Sequence, residues 1–178
     1  MKRLIYIFAV TIILALAFGT YTTMGRTIPK GVEAVRPFSA QKYLGTWYEI
    51  ARFDFYFERG LSKTTANYSM NNDGSIKVIN RGYDAAKNKW KEAQGRAKFV
   101  AATDVAMLKV SFFGPFYAGY NIIALDNEYC YALVVGKNFD YMWLLSREKT
   151  MPKEIIYRYV GLAQKLGFDT SRLIWVEQ

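Results

Sequence analysis

Few side chains in this sequence could do chemistry. Histidine is absent, and the one cysteine is Cys130. A nucleophilic thiol needs a neighbouring base to take its proton, and without histidine the usual base is missing. The same absence removes most zinc and haem sites. Cys130 opens the apolar run Cys130-Tyr131-Ala132-Leu133-Val134-Val135. There it reads as a buried small hydrophobe, and a single cysteine allows no internal disulfide. Glu49 shares a face with Trp47 and could be a buried acid, but one carboxylate without a partner makes a thin case for acid–base catalysis. The expectation is a protein that is not an enzyme and uses no metal and no cofactor.

Binding chemistry has more to work with. Under strand alternation, Phe53, Tyr68, Val78, Phe112, Tyr120, Tyr141 and Trp143 fall on inward faces. An enclosure lined by them would remove a hydrocarbon tail from water, at about 0.8 kcal/mol per buried CH₂. Asn80 and the tyrosine hydroxyls could meet a carboxylate or phosphate head at the mouth. The expected partner is a small hydrophobic ligand.

The elements that must hold these residues read as strands. Gly45–Asp54 is the first alternating segment, with Trp47, Glu49, Ala51 and Phe53 on one face. The further strands read as Ser62–Met70, Ser75–Asp84, Lys89–Val100, Val105–Phe113, Tyr117–Asp126, Cys130–Gly136 and Tyr141–Arg147. Turn chemistry separates them: Asn71-Asn72-Asp73-Gly74 suits a hairpin, because these residues tolerate positive φ. Gly114-Pro115, Asp126-Asn127-Glu128 and Gly136-Lys137-Asn138 act likewise. Eight short strands joined in sequence favour an antiparallel meander, and eight close into an up-and-down barrel wide enough for one small ligand. A 17% aromatic content suits such a pleated, half-buried wall. Between the first two strands lies Phe55–Leu61, an aromatic loop, which could lid the mouth, wedge against lipid or simply pack on the rim.

After the last strand the period changes. Ile155, Tyr159, Leu162, Ala163 and Leu166 recur at helical spacing, with Thr150 as a candidate cap, Pro152 in the first turn and Gly167 at the end. This flanking helix should pack on the outside of the barrel. Arg172–Val176 reads as a short terminal strand.

At the other end, Lys2 and Arg3 precede an apolar stretch from Leu4 to Phe18 broken only by Thr11. Residues 1–18 read as a signal peptide or an N-terminal membrane segment. Residues 19–40 read as a linker and 41–178 as the barrel domain. The chain carries a net charge of +9, which fits a surface near anionic lipid. No lysine–arginine cluster is dense enough for nucleic acid. A monomer and a homodimer are both open.

Three separated motifs resemble the lipocalin family, most closely its bacterial outer-membrane branch. They are Gly45-Thr46-Trp47-Tyr48, Ala124-Leu125-Asp126-Asn127-Glu128-Tyr129 and Tyr141-Met142-Trp143-Leu144-Leu145-Ser146-Arg147, and the resemblance covers roughly residues 38–178. It implies an eight-stranded calyx with Trp47 at the closed end beneath Arg147. It also implies that Gly45, Trp47, Asp126, Tyr129 and Arg147 are structural. The function implied is an exported protein of the periplasm or cell-envelope membrane that holds fatty acids or lysophospholipids. A lipid-modifying barrel enzyme and a structural envelope protein with an incidental pocket are the alternatives. Members of that branch are commonly lipoproteins, whereas the only cysteine here is Cys130, far from the N-terminus.

Overall fold

The computed structural model describes residues 27–178. The segment at 1–18 and the first part of the linker lie outside the described residues. A short helix, α1 (Ala40–Tyr43), leads into β1 (Gly45–Arg52), followed by β2 (Leu61–Met70), β3 (Ile76–Asp84) and β4 (Lys89–Phe99). Then come β5 (Met107–Phe113), β6 (Phe116–Leu125), β7 (Tyr131–Val135), β8 (Met142–Ser146), the helix α2 (Lys153–Lys165) and β9 (Ile174–Trp175).

Each strand pairs antiparallel with the next, and β1 pairs with both β2 and β8, so the eight strands close. β9 adds to β1 outside the ring. Closure pairs most of the strand edges that could otherwise recruit another chain, the upper half of β4 excepted. The up-and-down order puts the loops 53–60, 85–88, 114–115 and 136–141 at one end, the mouth. The polar turn Asn71–Gly74 lies at the other.

Two cores result. Trp47, Tyr68, Val78, Leu108, Val134 and Leu145 pack inside the barrel. Ala51, Phe53, Leu133, Leu144, Tyr159, Ala163 and Phe168 pack between the outer wall and α2. Consecutive residues of β7 alternate between the two, as a strand buried on both faces requires.

Local expectations differ from the structure at two places outside the barrel interior. Thr150 does not cap α2. Pro152 holds the N-cap position, and the Thr150 carbonyl accepts from Ser146 Oγ at 2.8 Å. Residues 27–40 are not a free linker. Val32 and Phe38 are buried, and Val35 exchanges backbone hydrogen bonds with Ile122 and Ala106. The segment has no period of its own, and it packs Val32 on the outer core and Val35 and Phe38 on the inner one.

Candidate functional site in the barrel interior

The closed end is a plug around one indole. Trp47 is fully buried, and its Nε1 donates to the Tyr43 carbonyl at 2.9 Å. The Arg147 guanidinium sits 4.0 Å from the ring centroid, a cation–π contact of about 0.5–2 kcal/mol. Arg147 also donates to the carbonyls of Lys42, Tyr43, Leu44, Thr46 and Tyr129, at 2.8–3.2 Å. It thereby satisfies the end of α1, whose last carbonyls have no helical partner. Gly45 has φ 95°, and a Cβ there would stand 3.3 Å from Arg147 Nη1. A side chain would strain the backbone and crowd the guanidinium. Asp126 Oδ1 accepts from the Cys130 and Tyr131 amides at 2.8 and 2.5 Å, which forms the turn. Tyr129 sits in that turn at φ 58° and accepts from the Ser39 amide.

Cys130 lies half-buried beside this turn, in neither core, contrary to the burial expected of it. Burial first, then the nearby Asp126 and Glu128, raise its pKa above the ordinary thiol value. The thiol is therefore held protonated, the unreactive form.

Above the plug, three tyrosines share their hydroxyls. Tyr120 OH bonds Tyr43 OH at 2.8 Å and Tyr68 OH at 2.7 Å. Burial pushes all three phenols above their ordinary range. Tyr68 and Tyr120 were foreseen as inward-facing. Tyr43 precedes the first strand, so strand alternation does not reach it.

The largest departure comes next, in β1. Glu49 pairs with Leu145, but Ala51 pairs with Leu144, so Ile50 is an extra residue. A bulge of one residue resets the alternation. Glu49 stays inside, Arg52 turns in after it, and Ala51 and Phe53 turn out. Phe53 therefore does not line the cavity. Its ring packs 6.5 Å from Phe168 under α2, with Arg172 over its face.

Arg52 is 2% exposed and organises the upper barrel. Its Nη1 donates to Glu49 Oε1 at 2.5 Å, and its Nη2 donates to the Glu58 and Leu61 carbonyls at 2.6 and 3.1 Å. Those carbonyls belong to the aromatic loop, so Arg52 ties that loop across the mouth. Glu58 turns its carboxylate inward and accepts from Trp143 Nε1 at 3.1 Å. Burial, then the Glu58 charge, push Glu49 up to about 8 against the pull of Arg52. Burial also raises Glu58. In a desolvated site, two carboxylates near one guanidinium resist being ionised together. Arg52 Nε and Asn80 Oδ1 are buried without partners. The Thr64 hydroxyl influences Glu49 but stays outside hydrogen-bond geometry.

Of the other expected residues, Val78, Asn80, Phe112 and Trp143 are inward and Tyr141 is at the rim. Val78 is buried in the inner core, and Asn80 follows it on the same face. Phe112 packs against the inner core and fills the space that Gly95 leaves, where a Cβ would meet its ring at 2.8 Å. Tyr141 stacks on Trp143 at 6.3 Å, at the rim.

The upper barrel is also open to one side. β4 pairs with β5 only from Arg96 to Phe99, leaving Lys89–Gly95 unpaired on that side. Ala93 and Ala118, both on inward-facing positions by register, are exposed to solvent. A cleft of about 350 Å³ runs along the outside of this seam, between Lys77, Gln94, Arg96, Ser111 and Tyr117, with Gly95 and Phe112 at its floor. A second cleft of about 310 Å³, between Lys63, Arg81 and Trp90, lies on the outer wall.

A closed eight-stranded barrel with a plugged base, an aromatic loop at its mouth and a mixed apolar and polar interior has the architecture of a small-ligand calyx. Residues 38–178 match the family model for a lipocalin-like domain, and the chain belongs to the lipocalin family. It is 52% identical over 162 residues to the outer membrane lipoprotein Blc of Escherichia coli, covering 91% of this chain and 92% of that protein. The outer membrane lipoprotein Blc of Vibrio cholerae is 51% identical over 152 residues, covering 85% of this chain and 89% of that one. Among solved structures, insecticyanin from the tobacco hornworm superposes with a TM-score of 0.69 at 19% identity, over 86% of this chain and 87% of that one. That last likeness speaks for the fold alone.

Proposed function

We propose that this lipocalin holds single-chain lipids, fatty acids or lysophospholipids, in its barrel and works in the bacterial cell envelope. The observation that carries the reading is the make-up of the upper barrel. Solvent-reached apolar wall at Ala93, Val110, Ala118 and Phe112 stands beside two buried polar atoms without partners, Arg52 Nε and Asn80 Oδ1. A tail fits the first and a polar head the second, and an unpaired buried donor or acceptor gains most from a ligand that completes it. The outer-membrane relatives support the envelope as the place of action. The basic start and apolar run of residues 1–18 supply export or attachment.

The test is displacement of a fluorescent fatty acid from the full chain by oleate and by oleoyl-lysophosphatidylethanolamine. Saturable displacement by either is expected, weakened in Asn80→Leu. An unsaturable or absent signal would sink the reading. Turnover of a bound lipid, lost in Cys130→Ser, would replace it with an enzyme.

A further inference from the structure

We infer that the mouth end of the barrel is a membrane-docking face, which seats on a bilayer containing anionic phospholipid. This extends the proposed lipid carriage by naming the surface from which cargo would come.

The two ends of the barrel differ in a way that folding does not require. Three mouth loops carry exposed aromatics: Tyr56 and Phe57 on the first, Phe113 and Phe116 on the β5–β6 hairpin, and Phe139 on the β7–β8 loop. Phe116 is 80% exposed and Tyr56 75%. Phe57 and Phe113 lie 5.9 Å apart, so the lid loop and the hairpin tip form one patch beside the open seam. The opposite end carries Asn71-Asn72-Asp73-Gly74 and Asp126-Asn127-Glu128 at its turns. Exposed clustered aromatics cost solubility, and they are characteristic of surfaces that meet the interfacial layer of a bilayer.

Charge agrees. The exposed mouth acids Asp54 and Asp140 are paired with Arg59 and Arg172, and the buried Asp84 is paired with Lys91. Lys87, Lys89 and Lys137, beside the same loops, are in no ion pair among the described residues. Unpaired cations around an aromatic patch complement anionic headgroups.

The chain path agrees as well. Thr27 passes over Gly119, where a Cβ would stand 2.1 Å from the Thr27 carbonyl, and Asn121 Nδ2 donates to that carbonyl at 2.7 Å. Gly119 lies three residues from Phe116 along β6. Thr27, where the described chain begins, therefore lies on the mouth half of the barrel.

The experiment adds one tryptophan at a time to the full chain, Phe116→Trp at the mouth and Met70→Trp at the closed end. Both positions are exposed, so neither change disturbs a core. Each variant is mixed with vesicles of phosphatidylethanolamine and phosphatidylglycerol bearing brominated acyl chains. Emission is compared with that of the unsubstituted chain. The expected result is loss of most of the added emission for Phe116→Trp and none for Met70→Trp. Equal quenching at both ends overturns the inference, because attachment through residues 1–18 would then leave the barrel unoriented. So does an unquenched Phe116→Trp whose emission shifts blue with protein concentration alone, which would assign the patch to a second copy. Fatty-acid displacement without vesicles separates the two ideas. Normal displacement with no quenching removes the docking face and keeps the carrier; quenching without displacement does the reverse.

Discussion

Changing Glu49→Gln should flatten the stability of this protein against pH. The chain has no histidine, so few side chains besides the buried Glu49 titrate between about pH 5 and 8. Glu49 has an ordinary value of 4.5 and is pushed up to about 8 in the fold, by burial first and Glu58 second. A raised carboxyl contributes its full stability below the unfolded value and loses it as pH climbs to the folded one. In that window the unfolded chain has released a proton that the folded chain keeps. Each pH unit then costs the fold about 1.36 kcal/mol, and the drop from pH 5 to 8 reaches up to about 4 kcal/mol. The charge of Glu58 adds to the shift of Glu49, so the drop reflects the two carboxylates together. The amide keeps the shape of the side chain and removes the titration. Urea unfolding, followed by tryptophan fluorescence at pH 5, 6, 7 and 8 and constant ionic strength, reads the slope. The unsubstituted chain should weaken steadily and Glu49→Gln should stay nearly level. A flat or rising profile in the unsubstituted chain, or the same slope in both, refutes the reasoning.

Phe53→Ala should cost about 3–5 kcal/mol in thermal or urea unfolding, as loss of a core aromatic does, and leave fatty-acid displacement unchanged. A changed lipid preference would put Phe53 back on the cavity wall. Tyr120→Phe should cost about 1–3 kcal/mol, because the Tyr43 and Tyr68 hydroxyls lose the partner they share. A cost near zero would mean that those two re-pair directly.

Much of this fold is legible in the residue order. The strands, the turn at Asn71–Gly74, the amphipathic stripe from Ile155 to Leu166 and the plug formed by Trp47 and Arg147 all follow from local pattern and motif. So do the inward placements of Tyr68, Val78, Asn80 and Tyr120, whose strands alternate without interruption near them. The interior of the mouth is less legible. Strict alternation along Glu49-Ile50-Ala51-Arg52-Phe53 places a phenylalanine inside and an arginine outside. The adjacent apolar pair Ile50-Ala51 and the Glu49–Arg52 spacing are the only hints of the bulge. Tyr43 and residues 27–40 were hidden because they have no period; their burial comes entirely from contact with other segments.

The division has a physical cause. Side-chain alternation and turn preference act between neighbours along the chain, so the sequence alone determines eight strands, their order and most of their faces. The bulge at Ile50 is decided by what lies across it. The C-terminal segment donates Val176 N to the Ile50 carbonyl and Gln178 Nε2 to the Glu49 carbonyl. Those contacts stabilise a backbone that β2 no longer pairs. They come from residues more than a hundred positions away, and only the tertiary structure brings them together. The same long-range packing turns Arg52 inward and gives an expected apolar cup a charged, proton-holding centre beneath its lid.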